Sequence, residues 1–145
     1  MDGAQFDLDR FTPYLLNRAA GRIVLAFEKD LDSYDISLGQ WRVLACIWHE
    51  GTPMQSDIVR HTSIDPSTLS RMIGGMEKRG LLKREKSDLD SRAVLVRLTG
   101  KGRKIAEALI PKALAVERSA LEGFTPNEVA KLHGLLRRIY ANLGG

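Results

Sequence analysis

The sequence predicts a mainly α-helical fold carrying one small β-hairpin. Two observations lead there. Apolar residues recur at helical spacing through most of the 145 residues, and only the stretch around 81–98 alternates with a period of two. A third observation bears on function. The segment from Ile58 to Lys104 holds 12 Lys/Arg against 5 Asp/Glu, net +7, whereas the rest holds 10 against 13, net −3. A basic middle between mildly acidic ends suggests a surface for a polyanion, although a solvated basic face with no partner has the same composition.

Thr12-Pro13 reads as a helix cap followed by proline in the first turn, and Leu16, Ala20, Ile23, Phe27 and Leu31 continue as an apolar stripe. Ser33 to Ile36 interrupts it. Ser37 and Gln40 form a capping box for a second helix, whose inward stripe is expected to be Trp41, Leu44, Ile47 and Trp48. Gly51 and Pro53 end that helix, and a short third one is expected from about Gln55 to His61. After a turn at Thr62-Ser63-Ile64, Asp65-Pro66 caps a fourth helix with Leu69, Ile73 and Met76 inward and Gly80 as its stop.

Leu81 to Arg84 and Ala93 to Leu98 read as two strands, with a polar loop from Glu85 to Arg92 between them. Thr99 caps a fifth helix reaching about Glu122, which Pro111 is expected to bend. Thr125, Pro126 and Glu128 give another capping box. In the last helix Val129, Leu132, Leu136, Ile139 and Leu143 follow at spacings of 3, 4, 3 and 4, a seam that suits a partner helix. The seam can be covered by a second copy or by the same chain.

The bulk properties exclude several classes. At 43% hydrophobic and 28% charged, the chain has the composition of a water-soluble domain. The start, Met1-Asp2-Gly3-Ala4-Gln5-Phe6-Asp7, is acidic and lacks the apolar core of a signal peptide. The longest apolar run, Val43 to Trp48, is too short to span a bilayer, and the single Cys46 has no internal disulfide partner. A cytoplasmic location and no membrane partner are expected. No Gly-rich phosphate loop, serine elbow or other catalytic constellation is present, so no enzyme is expected, and no cofactor. His49, His61 and His133 show no ligand spacing, so no metal is expected.

The middle of the chain therefore reads helix, turn, helix, hairpin: a winged helix-turn-helix. The second helix of such a pair enters the major groove of double-stranded DNA. With Leu69, Ile73 and Met76 turned inward, Ser67, Ser70, Arg71, Gly74 and Lys78 are left on the outer face. Hydroxyls can bond phosphates or base edges, and arginine reads guanine bidentately. The hairpin adds Lys83, Arg84, Lys86 and Arg92, and a long cation on its tip can enter the minor groove. Asp90, two residues before Arg92, is placed to pair with its guanidinium.

The stretch Asp90-Ser91-Arg92-Ala93-Val94-Leu95-Val96-Arg97-Leu98-Thr99-Gly100-Lys101-Gly102 resembles the wing signature of the MarR family, D-x-R-x-x-x-V-x-L-T-x-x-G, at every fixed position. Asp65-Pro66-Ser67-Thr68-Leu69-Ser70-Arg71 and Met76-Glu77-Lys78-Arg79-Gly80-Leu81 are similar to that family's recognition helix and its exit, and the order of elements agrees over about 130 residues. The resemblance implies a single domain over 1–145. Its winged helix-turn-helix lobe would lie at about 37–100, and its dimerisation helices at about 8–33 and 101–145. It implies a homodimer on a pseudopalindromic operator, usually a repressor, with Leu16, Val129, Leu132, Leu136, Ile139 and Leu143 in the dimer contact. Ser67, Thr68, Ser70 and Arg71 would meet the major groove, and Arg92 the minor groove with Asp90 positioning it. It also implies a small aromatic or phenolic effector in a cleft that Arg18, Arg22, Trp41 and Trp48 could line, the two tryptophans reading equally as plain core. A redox-responsive regulator acting through Cys46 and a winged-helix module that binds proteins are the alternatives. Gly74-Gly75 depart from the family pattern: each costs the helix about 1 kcal/mol relative to alanine and removes a side chain from the reading face.

Overall fold

A computed structural model describes residues 5–145; the start at Met1 to Ala4, read above as part of a leaderless N-terminus, lies outside it. A 3-10 turn (Leu8–Arg10) precedes α1 (Thr12–Asp32), α2 (Leu38–Glu50), α3 (Gln55–Thr62) and α4 (Pro66–Lys78). The hairpin β1 (Leu82–Lys86) and β2 (Val94–Leu98) follows, then α5 (Gly100–Ala120) and α6 (Pro126–Asn142). The strands are antiparallel, with Leu82 opposite Leu98 and Lys86 opposite Val94.

The helix starts chosen by local side chains form as their sequences dictate. Ser37 accepts from the Gln40 N–H at 3.1 Å while the Gln40 side chain accepts from the Ser37 N–H at 3.0 Å, satisfying two N-terminal donors of α2. Asp65 accepts from Thr68 at 3.0 Å and Thr99 from Gly102 at 3.1 Å. Two starts differ from expectation. In α1 the Leu15 N–H already bonds the Phe11 carbonyl, so the helix opens one residue early and Thr12 caps nothing. In α6 the Thr125 hydroxyl accepts from the Glu128 N–H, but the Glu128 carboxylate takes the Thr125 hydroxyl rather than its backbone, leaving half a capping box. α5 runs on through Pro111.

One core joins α2, α3, α4, the hairpin and the ends of α1 and α5. Leu44, Ile58, Leu69, Ile73, Met76, Leu81, Val96 and Leu109 are all fully buried in it. The α4 stripe is as expected, but α2 is turned by about one residue. Val43, Leu44, Cys46 and Ile47 face inward, and Trp48 sits at the margin, 40% exposed under the Arg103 guanidinium. In α1 only Phe27 and Leu31 reach the core; Ala20 and Ile23 are exposed because the N-terminal part of the helix runs beyond the lobe. The hairpin is longer than its polarity suggests. Glu85 and Lys86 pair with Leu95 and Val94, since a strand whose outer face meets water tolerates charge. Met54 bridges to Leu95, and Val96 donates to the Pro53 carbonyl at 2.9 Å, tying the α2–α3 connection to the wing.

The tightest backbone approach is at Gly102, where a Cβ would lie 1.8 Å from the Leu81 carbonyl oxygen. A Cβ on Gly75, in the middle of α4, would meet nothing within 4 Å. Gly102→Ala is expected to destabilise the fold by about 1–3 kcal/mol through overpacking. Gly75→Ala is expected to stabilise it by up to about 1 kcal/mol through helix propensity. Urea unfolding of the two variants checks both signs.

Candidate nucleic-acid interface

α4 and the hairpin stand side by side at one end of the lobe. The start of α3 (Gln55, Ser56, Val59), the start of α4 (Pro66) and the end of the hairpin loop (Arg92, Ala93, Val94) line a single groove. The groove therefore brings Arg92 to the N-terminus of α4. Gln55 and Ser56 were not singled out from sequence; their only signal was a polar pair opening a helix after Pro53.

Ten of the 12 basic residues of the middle segment fall into two sets; of the other two, Arg103 lies over Trp48 and Lys104 is exposed on α5. Arg60 pairs with Asp57, Arg97 with Glu85 at 2.5 Å, and Arg84 with Glu77 at 3.3 Å. Arg79 donates to the Asp35 carbonyl at 2.7 Å, and Lys101 to the Arg79 carbonyl at 3.0 Å. In contrast Arg71, Lys78, Lys83, Lys86 and Arg92 are exposed and, among the described residues, their side chains make no hydrogen bond or ion pair. Five of the six basic residues expected at the interface thus keep their charge available to a partner.

Arg84 is the sixth. Its backbone N–H donates to Glu77 at 2.8 Å and its guanidinium to the other carboxylate oxygen at 3.3 Å, strapping β1 to the last turn of α4. The Arg84 backbone N–H, followed by its side chain, holds the Glu77 carboxyl below its usual range. Glu77 gave no signal in sequence beyond being acidic in a basic helix turn.

Asp90 behaves differently from the expectation. It accepts from the backbone N–H of Arg92 at 2.9 Å, and no ion pair joins it to the guanidinium. With Ser87 accepting from Leu89 at 3.2 Å and Asp90 at 3.4 Å, it shapes the loop (Ser87–Ala93) and leaves the Arg92 side chain unheld. On α4, Ser67 is exposed but its hydroxyl donates to Asp65 at 2.7 Å; Thr68 and Ser70 are half-buried. Hydrogen bonds from Thr68, then Ser67, hold the Asp65 carboxyl well below the usual carboxylate range.

The four residues expected to line an effector cleft are not brought together. Trp41 packs edge-on against Phe27 at 5.3 Å, Trp48 lies under Arg103, and Arg18 sits over the Tyr14 ring. Only Arg22 borders the hollow of about 620 Å³ between α1 and α5, which also meets the Asp30–Lys112 ion pair and Ser119. Cys46 is buried, and burial, then Glu50 and Asp57, push its thiol pKa up, away from the reactive thiolate. The residues expected at a dimer contact stay uncovered in the single chain: Leu136 is 37%, Ile139 36% and Leu143 85% exposed, Leu16, Val129 and Leu132 are partly so, and α6 has no buried residue. Among the described residues no helix is long and apolar enough to cross a membrane.

Because the Asp65 pKa is lower in the folded state, the cap stabilises α4 above the ordinary carboxylate range and is lost as pH falls through the folded value. Asp65→Ala is therefore expected to melt at lower temperature than wild type at pH 7, and the two are expected to converge in strong acid. Asp65→Asn, which keeps a capping oxygen, should stay close to wild type at pH 7. Thermal melts across pH check all three.

Comparison with known proteins agrees with this geometry. The MarR family model matches residues 36–94. The HTH-type transcriptional repressor IacR of Pseudomonas putida is 27% identical over 139 residues, 96% of this chain and 83% of IacR. BpsR of Bordetella bronchiseptica, whose DNA binding is regulated by 6-hydroxynicotinic acid, is 31% identical; the alignment covers 89% of this chain and 98% of that one, with a TM-score of 0.77. A MarR family regulator from Silicibacter pomeroyi superposes with a TM-score of 0.85 over 98% of this chain and 96% of its own, at 29% identity. A hairpin wing beside a capped helix, a family model that matches residues 36–94, and a relative 31% identical over 98% of its own chain place this chain in the MarR family of DNA-binding transcriptional regulators.

Proposed function

We propose that the chain works as a homodimer that binds a pseudopalindromic operator and represses until a small aromatic acid releases it. The observation that carries this reading is the sorting of charge. Arg71 and Lys78 of α4 and Lys83, Lys86 and Arg92 of the wing are unengaged, while Arg60, Arg79, Arg84, Arg97 and Lys101 serve as internal struts. α4 would lie in the major groove, with Arg71 and Ser70 toward base edges and Ser67 and Thr68 near the phosphates. Lys78, Lys83 and Lys86 would meet phosphates, and Arg92 the flanking minor groove. Arg84 and Asp90 act as braces that hold the wing. The lobe at about 37–100 reads DNA; the segments at about 8–33 and 101–145 join the two copies.

The dimer is supported by α6, which offers an apolar seam with nothing buried in its own chain, and by exposed Leu15, Ile23, Leu25 and Leu114 on α1 and α5. IacR's role as a repressor and BpsR's regulation by a hydroxylated aromatic acid support the sign and the class of effector. The hollow between α1 and α5 suits such a ligand, with Arg22 to meet its carboxylate. A cytoplasmic location follows from an operator target.

Selection from a random duplex library at moderate salt is expected to recover a palindrome with half-sites about one helical turn apart; recovery of no preferred sequence overturns the reading. On the recovered site Arg92→Ala should weaken binding to all sequences and reduce the salt slope by about 1. Arg71→Ala should cost about 1–3 kcal/mol and relax a single base position. Leu136→Glu with Ile139→Glu should lower the mass in light scattering from twice 16.1 kDa to 16.1 kDa.

A further inference from the structure

The exit of α4 is gripped from two sides. Toward α1, the Arg79 guanidinium donates to three oxygens, the Asp35 carbonyl at 2.7 Å, the Gln40 side chain at 3.4 Å and the Tyr34 carbonyl at 3.5 Å, and forms an ion pair with the exposed Asp35 carboxylate at 3.7 Å. Two of these are the carbonyls just past the end of α1, where the helix dipole favours a cation. Asp35 is held in the left-handed region, φ +52°, which aims its carbonyl at the fork. Toward α5, Lys101 donates to the Arg79 carbonyl at 3.0 Å and Thr99 to the Gly80 carbonyl at 2.5 Å. Gly80 takes φ +73°, so the chain turns sharply at this node.

Glu77 ties the last turn of α4 to β1 through Arg84, and the remaining anchors, Leu69, Ile73 and Met76, are apolar contacts in the core. The apolar contacts set which face of the helix turns inward, and the bond to β1 holds its wing side; neither ties α4 to α1 or α5. A planar guanidinium on three oxygens is directional, and lysine cannot reproduce its fork. We infer that Arg79 is a positioning residue that fixes the angle of α4 against α1 and α5 and thereby sets the half-site spacing the dimer accepts. The inference rests on the dimeric reading above, since α1 and α5 are the helices that run out to the second copy. The leverage is sufficient. A helix of 13 residues is about 20 Å long, so a tilt of about 10° at its exit moves the far end by roughly 3 Å, close to one base-pair step.

The test uses the full chain and the operator recovered by selection, with its central spacer lengthened and shortened by one and two base pairs. Wild type is expected to prefer one spacing by about 10-fold or more over its neighbours. Arg79→Ala should flatten that preference to about 3-fold or less while keeping the same half-site sequence. Arg79→Lys, which retains the charge and is the variant to read if the alanine form does not fold, should flatten it likewise. Equal loss of affinity on every spacer means that Arg79 only stabilises the fold and overturns the inference. An unchanged spacing profile with a reduced salt slope means a phosphate contact and overturns it too. A wild-type protein with no preferred operator overturns the dimeric reading itself, a result distinct from either.

Discussion

The interface depends on the removal of Leu69, Ile73 and Met76 from water. These three residues sit on one face of α4 and are fully buried. Their burial fixes the rotation of the helix about its axis, so Arg71 and Ser67 must point outward. Burying side chains of this size contributes roughly 1.5–3 kcal/mol each, which outweighs the cost of two helical glycines at about 1 kcal/mol apiece. The orientation of the reading face is thus a consequence of hydrophobic packing, not of any contact that Arg71 makes.

Electrostatics then divides the basic segment. Surface ion pairs contribute little to stability, typically less than about 1 kcal/mol. Arg84–Glu77 and Arg97–Glu85 matter more for geometry: one ties the wing to α4 and the other ties the two strands together. Charges occupied in this way are poor candidates for phosphate contact, because a partner would have to compete with a carboxylate. Of the cations left over, five are on α4 and along the hairpin, where Arg92 approaches the start of α4, and Lys104 is on α5. Much of the exposed apolar surface lies elsewhere, on α1, α5 and α6, although Leu89 in the hairpin loop is also exposed.

What was legible in the sequence was local. Ser37 with Gln40, Asp65 with Pro66, and Gly80 declare helix ends through bonds within four residues, and the α4 stripe declares itself by spacing. What was not legible required a distant partner. Nothing near Trp48 shows that Arg103 of α5 will lie over it and leave it part exposed, and nothing near Arg84 shows that Glu77 awaits it across the turn. Strand β1 extends into Glu85 and Lys86 because Leu95 and Val94 offer a ladder, which overrides their weak strand propensity. Asp90 was correctly placed beside Arg92, yet the shorter route to the backbone N–H won over the guanidinium. Within one chain the residues expected around an effector lie apart for a related reason: Arg18 and Arg22 share one face of α1, whereas Trp41 meets Phe27 and Trp48 meets Arg103.

The central claim is that two copies present α4 to the major groove and the wing to the minor groove beside it. Chemical footprinting on a selected operator tests it most directly, using guanine N7 methylation for the major groove and hydroxyl radicals for the sugar edges. The account requires two N7-protected patches related by a twofold axis, about one helical turn apart, each flanked on its outer side by protected minor-groove sugars. A single asymmetric patch, or sugar protection without any N7 protection, would contradict it.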